Sequence, residues 1–358
     1  IAYWESFQVP FVFDDQHVIE KNQAIQDLDN FLTLDALTRQ RPLTDLTFAL
    51  NYAWHGLDVF GYHVVNFIVH VLAVCMAYFL ALAIFSRLIK GSADSTRQRT
   101  LLLMATVTAA VFALHPIQTQ AVTYIAQRYT SMAALFYMAA VLLYILGRSQ
   151  LLRGQNQQDG EQRTDDQRSL SLALACFGFS FICALAAFAS KQNALSLPLA
   201  ILLVEYMLFD RSWAGWRKKL LYLLPVLALF LGFALYSAGV LQGDMSLANV
   251  LEETDRRTRE TWQVTRWQYL LTQFKVVCIY LGLVIWPANQ SLDYMYPFVS
   301  VFHQSWSVLA VCLLALFFVL AVAVRRFWPV ITLGTLWYFL ALSVESSMVP
   351  IQDALVEP

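Results

Sequence analysis

Residues 62–86 read YHVVNFIVHVLAVCMAYFLALAIFS, a run with no Asp, Glu, Lys or Arg. A helix that crosses a membrane needs about 20 mostly apolar residues, and this run supplies them. Comparable runs lie at 101–115, 129–148, 169–189, 194–210, 220–241, 305–324 and 327–345, with a further apolar segment at 267–286. Hydrophobic residues make up 58% of the 358, charged residues 14%, and the mean hydropathy is +0.53. A soluble domain carries about a quarter charged residues. The chain therefore reads as an all-α polytopic membrane protein. It opens on Ile1 rather than Met, which leads one to expect an earlier segment.

The basic residues set the orientation. The linkers 87–99, 148–168, 211–219 and 325–326 hold four, four, four and two Lys or Arg, 14 of the 24. If the spans alternate, these linkers share one side, and the positive-inside rule makes that side cytoplasmic. The other ten fall opposite: Lys21, Arg39, Arg41, Arg128, Lys191, Arg256, Arg257, Arg259, Arg266 and Lys275. Parity then forbids a plain crossing at 267–286, which is expected to be a re-entrant or interfacial helix.

The outer side also carries FVFDDQHVIEKN, residues 11–22, with adjacent carboxylates at Asp14 and Asp15. Such a pair is often a turn or a helix cap. Functionally, one carboxylate could act as general base on an acceptor hydroxyl. In extended chain its neighbour points the other way. Cations at span edges either snorkel to headgroups or serve a site, and several around a carboxylate pair suit an anion such as a lipid phosphate.

Other patterns are weaker. His63, Asn66 and His70 share one helix face, but the two histidines rise about 10 Å apart, too far for one ion. A polar packing stripe or donor contact is the better reading. Asn289-Gln290-Ser291 fits a glycosylation acceptor by pattern. The five cysteines all lie in apolar runs and read as small hydrophobes. Net charge is −1 with no basic block, so nucleic acid is not an expected partner. No metal site is read, and a divalent cation beside the acidic pair is left open.

The blocks FVFDD, RPLTDLTFALNY, GYHVVNFIVH, HPIQTQAVTYIAQRYTSMAALFY, SKQNALSLPLAILLVEY, RWQYLLTQF, YLGLVIWPANQSLDYMYP and ESSMVPIQD occur in that order. Over almost its whole length the chain thereby resembles TMTC-type proteins, the transmembrane and tetratricopeptide-repeat O-mannosyltransferases, and their bacterial relatives. The resemblance implies a GT-C glycosyltransferase fold with an outer-side catalytic loop. It implies transfer of a mannose-like sugar from a polyprenyl-phosphate donor to a protein hydroxyl. Asp14 then looks like the base and Asp15 its acidic companion. Arg128, Lys191 and Arg266 match basic positions expected at the donor phosphate, with His115 and Gln127 beside them.

The expected organisation is a first outer loop (1–61), a transmembrane core (62–241), an outer loop with the re-entrant or interfacial helix (242–304) and a C-terminal hairpin with its outer loop (305–358). The resemblance places a tetratricopeptide-repeat domain beyond Pro358. It also points to a bacterial inner membrane with the site facing the periplasm. Two rivals fit the same outer cations: a transporter or flippase for a lipid-linked anion, and an inactive GT-C-like scaffold subunit. Taken alone, the residues support a polytopic membrane protein with an outward acidic and basic site.

Overall fold

The computed structural model describes residues 3–31, 33, 39, 41–89, 94–156, 163–210, 232, 266–288, 290 and 305–344; at 155, 156, 163–166, 266 and 305 only the backbone is described. Among these residues the secondary structure is helical throughout. The chain is an all-α polytopic membrane protein; among the described residues six helices are long and apolar enough to cross a bilayer, by length and composition, and a seventh candidate is bent. It forms two compact units, Ile1–Arg211 and Ser212–Pro358.

The first unit contains α1 (Pro42–His55), α2 (Val59–Leu88), α3 (Ser95–Leu114), α4 (Thr119–Thr123), α5 (Arg128–Asn156), α6 (Arg163–Ser190) and α7 (Leu197–Val204). The run that opened the sequence reading is α2. Asp58 caps its start by accepting the Phe60 N–H at 3.0 Å, which satisfies a donor that the helix cannot. Gly56, at φ +58°, ends α1 in a conformation that suits glycine. At the far end of α2, Arg97 donates to the carbonyls of Ser86 and Ile89, closing the turn into α3.

Pro116 cannot continue α3, and the chain bends by 51° between Ser95–Leu114 and Pro116–Thr123. The bend brings residues 119–128 back across α2. Helices α5 and α6 form the most extensive pair in this unit. They meet closely at Gly147, where a Cβ would stand 2.9 Å from the Phe177 ring and 3.2 Å from the Ala173 carbonyl. Small residues permit this approach where lipid supplies no hydrophobic drive between helices.

Residues 3–31 are fastened to these helices. Tyr3 donates to the Ala113 carbonyl, the Val9 carbonyl meets His63 Nε2 at 2.9 Å, and Ile19 and Ile25 enter a core with Phe48, Tyr62, Ile125 and Tyr129. The His63, Asn66 and His70 stripe is buried. Asn66 donates toward the Tyr124 and Ile125 carbonyls, and His70 meets the Ala113 carbonyl at 3.2 Å.

The second unit holds α8 (Arg266–Ile285), α9 (Ser305–Ala323) and α10 (Pro329–Leu342), with α9 packed on both its neighbours. The expected span 220–241 apart from residue 232, the expected loop at 211–219, residues 242–265 of the expected outer loop 242–304, and ESSMVPIQD fall outside the described residues. Within α8, Trp267–Ile285 is one continuous helix that is long and apolar enough to cross, by length and composition. Parity, counted with a span at 220–241, led to the expectation of a re-entrant or interfacial helix there.

Candidate functional site

The acidic pair splits into two unlike environments. Phe13 adopts φ +46°, the left-handed region that an aromatic residue rarely enters. This strained residue directly precedes the two carboxylates. Such outliers persist where surrounding contacts hold them, and they concentrate at functional sites.

Asp15 points inward and is 1% exposed. Its Oδ1 accepts the Ala126 N–H at 2.7 Å and its Oδ2 accepts the Val12 N–H at 3.1 Å. Burial raises its pKa to about 6, against the lowering effect of the two N–H groups, and the neighbouring charges of Asp14 and Glu20 push in the same direction as burial. Asp14 lies half-buried, and its backbone N–H donates to the Tyr124 hydroxyl at 3.0 Å. Among the described residues, no donor meets the Asp14 carboxylate. One carboxylate is a latch. The other is unspent.

Both reach the same short segment. Tyr124 holds Asp14 and Ala126 holds Asp15. Immediately after them, Gln127 Oε1 accepts the Thr130 hydroxyl at 2.7 Å, and Thr130 Oγ1 accepts Lys191 Nζ at 3.0 Å. Residues 124–130 therefore gather Asp14, Asp15, Gln127 and Lys191 from three parts of the sequence.

Arg128 sits in this segment but behaves differently from the expectation. It is fully buried. Its Nε donates to Asn66 Oδ1 at 2.6 Å, Nη1 to Asn51 Oδ1 at 2.7 Å, and Nη2 to the Tyr62 carbonyl at 2.9 Å. The guanidinium also lies 4.4 Å from the Phe48 ring centre. Each nitrogen is committed to protein oxygen, and the aromatic face stabilises the charge in place of a carboxylate. A lipid phosphate finds no ready donor here. Arg128 is a keystone of the core between α1, α2 and α5.

His115 caps the turn after α3, its Nδ1 accepting the Ile117 N–H at 3.2 Å. Arg266 starts α8 in the second unit, and its side chain lies outside the described residues. Sequence reading missed Tyr124 and Thr130, the two hydroxyls that connect the site. It also missed Asn51 and Asn66 as partners of Arg128. A signal was present: asparagines inside apolar helical runs need a partner. Among the described residues, no group of three His, Cys, Asp or Glu side chains could hold a metal ion.

Several known proteins similar to this chain are protein O-mannosyl-transferases. It is 28% identical over 229 residues to protein O-mannosyl-transferase Tmtc3 of Drosophila melanogaster, covering 58% of this chain and 23% of that protein. It is 31% identical over 156 residues to protein O-mannosyl-transferase TMTC3 of Homo sapiens, covering 40% and 15%. Protein O-mannosyl-transferase TMTC4 of Homo sapiens matches at 30% over 182 residues, covering 46% and 23%. The matched stretch thus spans less than a quarter of these relatives. No family model and no solved structure matches. The curated homologues are TMTC protein O-mannosyl-transferases, in keeping with the ordered blocks of the sequence.

Proposed function

We propose that this chain is the membrane part of a GT-C-type glycosyltransferase, which moves a mannose-like sugar from a polyprenyl phosphate to a protein hydroxyl. The site faces the non-cytoplasmic side, the periplasm if the membrane is a bacterial inner membrane. The observation that carries the reading is the division of labour in the acidic pair. Asp15 is buried and bonded on both oxygens, while Asp14 is held by its backbone with its carboxylate open.

An inverting transfer uses that arrangement directly. Asp14 takes the proton of the acceptor hydroxyl as its oxygen attacks the anomeric carbon. The bond from that carbon to the phosphate oxygen breaks, and its electron pair leaves with the phosphate. A cation near the departing phosphate stabilises the growing charge. We assign this role to Lys191, and its bond to Thr130 beside the acidic pair's anchors supports the assignment. A leaving group that is already a lipid phosphate needs no nucleotide-binding domain.

The test is transfer itself. Membranes containing the full-length protein are supplied with radiolabelled polyprenyl-phosphate mannose, and label entering protein is counted. Label above that of membranes lacking the protein supports the reading. Equal counts, with the protein folded and the donor intact, contradict it.

A further inference from the structure

Two arginines on the Asp14 side of the sequence are not consumed by the fold. Arg41 precedes α1 and lies with its guanidinium carbon 4.6 Å from the Tyr129 ring centre. Its Nε is sealed from solvent and has no hydrogen-bond partner. Among the described residues, its terminal nitrogens donate to nothing either. Arg39 is alike, seated 4.4 Å from the Phe31 ring centre without a hydrogen bond among the described residues. One turn into α1, Thr44 is fully buried and its hydroxyl is also unpartnered. A protein rarely leaves buried donors idle, and those it leaves call for an explanation.

The neighbouring acid does not supply one. Asp45 accepts the Tyr129 hydroxyl at 2.6 Å, and among the described residues the sole ion pair is Arg148–Glu205. Burial raises the Asp45 pKa, with Arg41 and Arg39 opposing. The two guanidiniums are held by aromatic faces rather than by carboxylates. That leaves their planar donor edges for a ligand with several oxygens, which suits a phosphate. The α1 N-terminus adds N–H groups that have no earlier carbonyl to bind.

Placement supports the same end of the bundle. Arg41 covers Tyr129, and Lys191 bonds the next residue, Thr130. Two cations distant in sequence thus flank successive residues in the first turn of α5. We infer that Arg41, with Arg39 beside it, is the arm that binds the donor's phosphate group, the role expected of Arg128. This rests on the transferase reading for the donor's identity.

The experiment measures binding to the full-length protein in discs of zwitterionic lipid. The probes are a long-chain polyprenyl phosphate, the corresponding polyprenol, phosphatidylglycerol and inorganic phosphate. The proteins are wild type, Arg41→Gln, Arg41→Lys and Asp14→Asn. Loss of a charge-assisted fork is expected to weaken polyprenyl phosphate about 10- to 100-fold in Arg41→Gln. Arg41→Lys should fall between, polyprenol binding should not change, and Asp14→Asn should bind like wild type. Equal affinity of wild type and Arg41→Gln for polyprenyl phosphate overturns the assignment. So does equal loss of polyprenol, which would mean a damaged groove. Competition by phosphatidylglycerol or inorganic phosphate as strong as by polyprenyl phosphate also overturns it. Arg41-dependent binding without sugar transfer by wild type upholds the arm and defeats the transferase. Transfer with Arg41-independent binding does the reverse.

Discussion

Asp15 Oδ1 accepts the backbone N–H of Ala126 at 2.7 Å, joining two residues 111 positions apart. This bond, with the Asp14 N–H to the Tyr124 hydroxyl, fixes the first loop against the start of α5. The acidic pair therefore sits where it does because one of its members has been given up to structure.

Asp15→Asn follows from that bond. An amide offers one acceptor oxygen where the carboxyl offers two, so the Ala126 or Val12 N–H would face an NH₂ group. An unmet buried donor costs about 1–3 kcal/mol, and the melting temperature in detergent should fall. The pH dependence has a definite sign. Unfolded Asp15 ionises near its ordinary 3.8, whereas folded Asp15 keeps its proton to about 6. Its contribution to stability is fully present below about pH 4 and is lost as pH rises through 6. The melting gap between wild type and Asp15→Asn should widen as pH falls from 7 to 5. A constant gap would mean that Asp15 titrates normally.

Arg128→Met tests whether that residue is a keystone. The change removes the donors from Asn51, Asn66 and the Tyr62 carbonyl, all inside the core. More than about 3 kcal/mol should be lost, seen as poor recovery of folded protein. Arg128→Lys should rescue little, since an ammonium cannot reproduce the fork. Full stability with weakened donor binding would instead return Arg128 to the phosphate site.

Lys191 carries a separable prediction. Lys191→Met removes a charged donor beside Thr130, and hydrogen bonds to charged groups are worth about 1.5–3 kcal/mol. The donor KM should rise about 10- to 100-fold with little change in melting temperature. An unchanged KM would remove Lys191 from the donor site.

The long helices were legible because hydrophobic length alone decides them. Residues 62–86 fall within α2, and 129–148 and 169–189 within α5 and α6. The position of the acidic pair was legible too. Its division was not, because the burial of Asp15 depends on a backbone N–H contributed by Ala126. The partners of Arg128 were hidden for a similar reason. A cation at the edge of an apolar run is expected at a membrane surface, yet Asn51 and Asn66 supply a polar socket from two other helices. Local pattern gives the helix. The partner across the bundle decides whether its charged residue is spent or open.

The most direct test is sugar transfer per folded molecule in Asp14→Asn, with polyprenyl-phosphate binding measured in parallel. The substitution keeps size and leaves the backbone bond to Tyr124, but removes the proton acceptor. General base action is worth about 10²–10⁴-fold in rate. Transfer should therefore drop by that factor while melting temperature and donor binding stay at wild-type values. Turnover near that of wild type would contradict the role of Asp14 as base and leave the acidic pair as a structural turn.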